Sequence, residues 1–430
     1  MKSSIKIQLS LMMFLEFFIW GGWFVTLGTF LGANLKADGL DIAKVFSTQS
    51  YGAIIAPFII GLIADRFFNA ERILGFLHIA GAILMYMMFK AEDVTVFYPY
   101  ALGYMILYMP TLALVNSVSF RQMTNPEKQF SSIRIWGTIG WIIAGIIISL
   151  LKWDDVENNA AHDTLRNTFL MASIASGLLG IFSFTLPKTP PKKAEGSASV
   201  TQILGLDALK LLADKNFLIF FISSILICIP LAFYYSNANP FLTDIGMKSA
   251  TAKMTIGQAS EVLFLLLIPI FFKRFGFKLT ILVGMFAWVL RYLLFAYGNA
   301  GEMAFMLILG IALHGICYDF FFVSGQIYTD SKAGEKYKSS AQGLITLATY
   351  GIGQLIGFWV AGYVGKHYAD LAPAKLENGA VLTDAQNAER ITQFGNFWQH
   401  VWIVPAIIAA IVAVLFLLFF RNSKKTESVQ

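Results

Sequence analysis

We single out six ionisable side chains inside long apolar runs, where such a group costs at least about 2.5 kcal/mol on insertion scales. They are Glu16, Arg134, Glu261, Arg291, His314 and Asp319. Inside a membrane such a group has to be paired, neutralised or exposed to a water-filled cavity. Because proton relays and polar binding sites in membranes are built from such groups, these six residues are the first candidates for function.

The segment around Arg134 combines a cation, a hydroxyl and an aromatic ring. Thr138 and Trp141 follow Arg134 at i+4 and i+7, so the three side chains share one face of a helix. This stripe predicts one wall of a polar cavity. The alternative is that Arg134, which lies near the end of its apolar run, anchors the helix at the membrane surface.

Two carboxylates in the second half of the chain are candidate proton carriers. Gln258 and Glu261 are three residues apart and share a helix face, while Asp319 directly follows Tyr318 in an aromatic run. A carboxylate in such a setting can bind and release a proton when its hydration changes. The alternative for Glu261 is a permanent ion pair with an arginine.

Glu16 lies among aromatic residues in the first apolar run. Trp20 and Trp23 follow it at i+4 and i+7, and a cavity lined by rings and one acid suits a hydroxylated ring ligand. An interfacial belt is the alternative for the tryptophans, but Trp20 is too deep for it. We expect His314 to be packed and hydrogen-bonded, and Arg291 to be structural.

The composition indicates that a lipid bilayer is the solvent of this chain. Of its 430 residues, 57% are hydrophobic and 13% are charged, whereas a soluble domain is about a quarter charged. Its mean hydropathy is +0.65. Twelve apolar runs are long enough to cross a hydrocarbon core of about 30 Å: 8–34, 42–64, 72–91, 98–120, 132–151, 168–187, 214–239, 251–272, 278–298, 303–327, 340–367 and 398–420.

A polar linker divides these runs into two sets of six. The predicted units are residues 1–187, the linker 188–213 and residues 214–430. Most of the 32 Lys and Arg residues lie in loops on the side of the two termini, which predicts that both termini are cytoplasmic. Short tails and the lack of a targeting signal favour a bacterial inner membrane, and the first run, which has no cleavage site, is expected to be retained.

Several classes of partner and activity are excluded by what the sequence lacks. Its basic residues are spread over short loops, which argues against nucleic acid as a partner. Cys228 and Cys317 have no neighbouring Cys or paired His, so we expect neither a disulfide nor a metal or other cofactor. No phosphate-binding loop and no potassium filter occur, so the energy for any transport must come from a gradient.

An internal repeat relates the two halves. GLIADRFF at 61–68 recurs as PIFFKRFG at 269–276, an offset of about one six-span half. The first copy resembles the loop signature of the major facilitator superfamily. That resemblance implies an all-α membrane fold of twelve transmembrane helices in two six-helix halves, with a site at mid-membrane between them.

Longer stretches resemble one branch of that superfamily, the nucleoside:proton symporters. They are FLEFFIWGGW, YMPTLALVNSVSF, IRIWGTIG, SEVLF, WVLRYLLFAYG and YDFFFVSG, in the family's order. The resemblance implies a monomeric importer that couples nucleosides to protons by alternating access, and not an enzyme. The residues at the family's substrate and proton positions are Arg134, Thr138, Trp141, Gln258, Glu261, Tyr318 and Asp319, with Glu261 and Asp319 as the proton carriers.

The chain departs from the family in two places. The family has Gln where this chain has Glu16, and it has amide side chains where Ala232 and Tyr235 align, although Asn237 and Asn239 lie nearby. Glu16 and Trp20 therefore join the predicted site on their own chemistry. The alternatives are a proton symporter for a sugar or amino sugar, favoured by Glu16, and a membrane sensor that has lost transport, which the intact acids oppose.

Overall fold

The structure is a computed structural model that describes residues 2–59, 68–125, 129–190, 206–374 and 382–421. Within these ranges the regular secondary structure is helical, as the all-α prediction requires. The α-helices are α1 (Ser3–Gly21), α2 (Leu27–Ala33), α3 (Gly39–Ile59), α4 (Ala70–Lys90), α5 (Val94–Arg121), α6 (Ser131–Leu150), α7 (Val156–His162), α8 (Asn167–Ser183), α9 (Lys215–Asp244), α10 (Ala250–Tyr297), α11 (Ala304–Ala312), α12 (His314–Tyr318), α13 (Ser324–Thr346), α14 (Gln354–His367) and α15 (Asp384–Phe419).

Ten helices in the described ranges are long and apolar enough to cross a membrane. One of them, α10, has 48 residues, or about 72 Å at the helical rise, which is more than twice the thickness of the hydrocarbon core. Gly276, with φ 73° and ψ 176°, breaks α10 into two crossings where the second copy of the repeat ends. Gly334, with φ 61° and ψ 173°, likewise breaks α13, whose first part ends one crossing and whose second part begins the next. With α3 included, the arrangement is consistent with twelve crossings. Gly61 to Phe67 of the first copy lie outside the described residues.

Two predicted spans differ from the helices observed. The run 8–34 is interrupted after Gly21, and α-helix begins again at Leu27 with α2. The run 398–420 starts about four turns later than α15, because a capping box formed by Thr383 and Gln386 starts that helix within a polar segment. Apolarity marks the part of a helix that can lie in lipid, not the point where the helix begins.

Apolar packing follows the two predicted halves. One buried cluster draws on residues 9–186, together with Ala232 and Phe358, and the other on residues 217–420. Contacts between the two sets run mainly along α6 with α10 and α3 with α14. The unit boundaries at 187/188 and 213/214 remain a prediction, and residues 191–205 of the linker lie outside the described residues.

Hydrogen bonds between the two sets concentrate toward the end of the bundle where α2, α6 and α9 finish, which we call the far end. Gly39 and Gly362 approach so closely there that a Cβ on either would overlap the backbone of the other, which only glycine permits. Among the described residues, the cross-set side-chain bonds at the far end are Thr29 to Asn239 at 2.6 Å and the pair made by Asp154 and Ser149 with the start of α10. A further bond, Gln49 to Gln354 at 2.9 Å, lies midway along α3.

Two stretches of π-helix interrupt the second half. Asp319–Val323 separates α12 from α13, and Leu347–Gly353 separates α13 from α14. A π-helical turn inserts a residue into the helix and re-aims the side chains around it, and such turns are frequent at functional sites. Asp319 opens the first stretch and Tyr350 lies in the second.

Candidate substrate and proton site

Helix α6 brings Arg134 to the interior with its hydrogen-bonding capacity unused. Its guanidinium lies 4.0 Å from the centre of the Phe17 ring on α1, an arrangement that holds a cation without a carboxylate. The side chain is only partly buried. Within the described part of the chain it makes no side-chain hydrogen bond or ion pair, so its donors remain free for a ligand.

The rest of the α6 stripe forms an aromatic wall with α1. Trp141 meets Trp20 edge to face at 5.6 Å, and Trp20 meets Tyr108 of α5 at 5.7 Å. Thr138 and Trp141 are both partly accessible. Arg134, Thr138 and Trp141 are expected to share one face of the helix. All three side chains are partly accessible, so none is buried between helices.

Trp141 also lines a cavity between the two sets of helices. The cavity is lined by Phe24, Val25, Trp141 and Gly145 from one set and by Tyr234, Tyr235, Thr251, Met254, Thr255 and Gln258 from the other. Gln258 supplies an amide and the tyrosines supply rings and hydroxyls. Sites for small ring ligands likewise combine flat apolar surfaces with a few polar groups.

Glu261 lies one turn along α10 from Gln258 and links the polar groups of both sets. It interacts electrostatically with Arg134 of α6, and with Tyr235, Tyr318 and Tyr350 of the second set. No direct ion pair joins Glu261 to Arg134 among the described residues. Although it lies deep in the bundle, its side chain is partly accessible, which indicates that it faces a cavity.

Asp319 lies next to this group but is enclosed. Its side chain is 1% exposed, and its Oδ2 atom has no hydrogen-bond partner. It interacts electrostatically with Glu261. The preceding residue, Tyr318, shares a hydrogen bond of 2.6 Å with Tyr350. A buried carboxylate without a donor is costly when ionised, so Asp319 is suited to holding a proton.

Glu16 does not lie where the sequence led us to expect it. Its side chain is fully buried. His78 Nε2 lies 2.8 Å from Glu16 Oε2, and Thr111 Oγ1 lies 2.6 Å from Glu16 Oε1. The expectation of an acid lining the cavity beside Trp20 is therefore not met in this conformation, because partners on α4 and α5 hold both carboxylate oxygens.

Arg291, the other arginine within the predicted spans, is buried and does not line the cavity. Its guanidinium stacks 3.5 Å from the centre of the Tyr234 ring and bonds to His314 Nδ1 at 3.0 Å. His314 is buried and stacks on Tyr234 at 5.2 Å. These contacts are those of a packed, hydrogen-bonded histidine and a bracing arginine behind the cavity wall.

Sequence reasoning missed three residues of this region. Tyr350 was hidden in a glycine-rich segment whose π-helical turn has no simple sequence pattern, and Tyr235 was noted only as a departure from the family. His78 was overlooked because it stands alone in an apolar run. Its partner, Glu16, is 62 residues away in the sequence, so only the folded structure, in which these two side chains of α1 and α4 meet, reveals the pair.

Comparisons with known proteins give matches over nearly the whole chain. A family model described as nucleoside H+ symporter matches residues 3–425. The chain is 43% identical to Escherichia coli YegT over 98% of its own length and 95% of that protein. It is 33% identical to the E. coli nucleoside permease NupG, covering 97% and 96% of the two chains, and 32% identical to the E. coli xanthosine permease, covering 99% and 98%.

Solved structures give the same match. Two crystal structures of the nucleoside transporter NupG, one of them of an aspartate-to-alanine mutant, superpose with TM-scores of 0.81 and 0.84 at 30% identity. Both comparisons cover 97% of this chain and 100% of the other. The likeness therefore extends over the whole bundle and is not confined to one half.

Proposed function

Because this chain belongs to the nucleoside H+ symporter family, we propose that the cavity between its two sets of helices binds a nucleoside with groups from both sets. Family membership confirms the resemblance drawn from the sequence and makes the chain a transporter, not an enzyme, whose function is proton-coupled nucleoside import. Alternating access is general for this fold.

The observation that carries the proposal is a pair of unused polar groups on α6 and α10, one from each set of helices. Arg134 on α6 has free donors and Glu261 on α10 has free acceptors, and no direct ion pair joins them. A ribose offers hydroxyls that donate and accept, and a base offers a flat ring with polar edges. A nucleoside can therefore bridge Arg134 to Glu261 while its base lies against Trp141.

Glu261 and Asp319 are the proposed proton carriers. Both belong to the second set of helices and interact with each other. Two neighbouring carboxylates resist ionising together, so a proton on one of them stabilises the pair. Loss of that proton would place negative charge beside Arg134 and change how strongly the two sets attract each other.

The conformation is proposed to be closed at the far end. The cross-set hydrogen bonds concentrate toward that end, and the Gly39 and Gly362 contact seals it further. With the termini placed in the cytoplasm of a bacterial cell, the far end faces outward, so the cavity opens inward. We expect a monomer in the inner membrane, since each chain carries both sets of cavity residues.

A sugar or amino sugar as substrate loses its main support. That alternative rested on an acid at Glu16 facing the ligand, and Glu16 is bonded to His78 and Thr111 instead. The deciding experiment is uptake of radiolabelled nucleosides into proteoliposomes with an inward proton gradient, with unlabelled nucleosides and sugars as competitors. Competition by sugars but not by nucleosides would contradict the proposal.

A further inference from the structure

A continuous series of hydrogen-bond contacts runs through the first set of helices, away from the cavity. It starts at the backbone carbonyl of Tyr108 and passes through Thr111, Glu16, His78 and Ser176 to the backbone carbonyl of His78. The five contacts measure 2.5 Å, 2.6 Å, 2.8 Å, 3.1 Å and 2.9 Å in that order. The four side chains come from four helices, α5, α1, α4 and α8, and each is at most 2% exposed.

The number of hydrogens available to this series is one too few. Each contact needs one hydrogen, and the two carbonyl oxygens at the ends can only accept. The hydroxyls of Thr111 and Ser176 supply one hydrogen each. A Glu16–His78 pair without net charge, which we call the uncharged pair, supplies two hydrogens. It does so either as carboxylate with imidazolium or as carboxylic acid with neutral imidazole. Four hydrogens therefore serve five contacts, so in one contact two acceptor atoms face each other without a hydrogen between them.

One added proton would complete every contact. With Glu16 as a carboxylic acid and His78 as an imidazolium, the Thr111 hydroxyl donates to the Tyr108 carbonyl and the Glu16 acid donates to Thr111. His78 Nε2–H then donates to Glu16 and Nδ1–H donates to Ser176, whose hydroxyl donates to the His78 carbonyl. A buried charge is tolerated when its hydrogen bonds are all made, which this protonated state achieves.

We propose that Glu16 and His78 form a proton-binding site that takes up one proton beyond the uncharged pair. The site lies in the first set of helices, separate from Glu261 and Asp319 in the second set. Its protonated form links α1, α4, α5 and α8 by complete hydrogen bonds and so stiffens that set. The inference is independent of the role proposed for the cavity, because it concerns equilibrium protonation and not transport.

The other ionisable groups around the pair come from two helices. On α5, the Tyr108 hydroxyl donates to the backbone carbonyl of Glu16 at 2.8 Å, and Tyr104 interacts electrostatically with Glu16. Arg134 on α6 reaches Tyr108 electrostatically and is the nearest permanent charge that the described contacts identify. The facing segment of α8 contributes Ser176 and has no ionisable residue.

The test uses two signals on purified protein in lipid nanodiscs. Nitrogen NMR with labelled histidine reports whether His78 is imidazole or imidazolium, and the chain has only five histidines to assign. Infrared spectroscopy reports a carboxylic-acid carbonyl band, assigned to Glu16 by its loss in Glu16→Gln. As the pH is lowered, we expect the imidazolium signal and the acid band to be present together.

Thr111→Val supplies the decisive variant. It removes one hydrogen and two contacts, so three hydrogens then serve three contacts and the uncharged pair is complete without an added proton. We expect Thr111→Val to lose the state in which acid and imidazolium coexist. Thr168→Val is the matched control, because Thr168 on α8 is equally buried but bonds only to the carbonyl of Leu165. It should titrate like the wild type.

Two results would overturn the proposal. One is a wild-type protein in which Glu16 stays ionised beside an imidazolium, or in which His78 stays neutral, at every pH. The other is a Thr111→Val protein that takes up the proton as the wild type does. Uptake assays do not enter either result, so failure of this proposal and failure of the cavity assignment are distinguishable.

Discussion

Asp154 at the far end offers a direct test of how the two sets of helices close. Its carboxylate Oδ2 accepts from the backbone N–H of Thr251 at 3.0 Å, at the start of α10, and from the hydroxyl of Ser149 at 2.6 Å. Ser149 in turn accepts from the N–H of Ala252 at 3.0 Å. An acid of the first set thus caps a helix of the second, where a negative charge is favoured by the helix dipole.

The size of the effect can be worked out from these contacts. Asp154→Asn keeps an acceptor but loses the charge, which removes about 0.3 to 1 kcal/mol of helix-dipole interaction and part of the 1.5 to 3 kcal/mol of a charged hydrogen bond, roughly. We expect a total of about 1 to 2 kcal/mol, lost only when the far end is closed. Since about 1.4 kcal/mol is tenfold, the closed state should lose population roughly 5- to 30-fold relative to the open one.

The assay is a distance measurement between spin labels on far-end loops of the two sets. Cysteines introduced as Glu92→Cys and Glu302→Cys are exposed, whereas the native Cys228 and Cys317 are buried. Asp154→Asn should shift the distance distribution toward longer values.

The neighbouring acid is a matched control. Asp155 caps α7 by accepting from the N–H of Asn158 at 3.0 Å, entirely within the first set. Asp155→Asn should leave the distance between the labels unchanged. Identical distributions for Asp154→Asn and the wild type, or equal shifts for both variants, would show that the cap on α10 does not hold the far end closed.

Three predictions concern the proposed substrate and proton site. Glu261→Gln or Asp319→Asn should abolish uphill uptake, and the coupling assignment is wrong if both variants still concentrate nucleoside and acidify the vesicle lumen. Arg134→Lys should weaken binding by about 1 to 3 kcal/mol in calorimetry because Lys lacks the planar fork of donors, whereas unchanged affinity would favour a membrane-anchoring role. Tyr350→Phe removes the 2.6 Å bond to Tyr318 and should reduce affinity by about 1 kcal/mol; an affinity equal to the wild type would remove Tyr350 from the site.

The course of the chain was largely readable from the sequence because the bilayer imposes a length on each crossing. The predicted runs 251–272 and 278–298 meet at the break in α10, where Gly276 adopts a positive φ that other residues avoid. The start of α15 was misplaced because its first turns are polar and held by a cap. Hydropathy detects the part of a helix that contacts lipid, and these polar turns do not contact lipid.

The site was predictable in part, and the limit is the rotation of each helix. Arg134 and Trp141 share a face by spacing alone, and the structure leaves both partly accessible. The same spacing joins Glu16 to Trp20, yet Glu16 turns toward His78. A spacing of i+4 fixes which residues are neighbours on a helix but not whether they face a cavity or another helix, and that choice depends on partners distant in sequence.

The charged residues of the proposed substrate and proton site are divided between the two sets in a way that links substrate binding to proton binding. Arg134 belongs to the first set, and Glu261 and Asp319 belong to the second, so their attraction acts between the parts that must move relative to each other. A nucleoside carries no net charge and can join Arg134 to Glu261 only through hydrogen bonds. A proton on Glu261 weakens its attraction to Arg134, and a bound nucleoside replaces that attraction with new contacts. The proton alone or the nucleoside alone therefore alters the attraction between the two sets of helices. A transporter built in this way is expected to change conformation readily when proton and nucleoside are both bound or both absent.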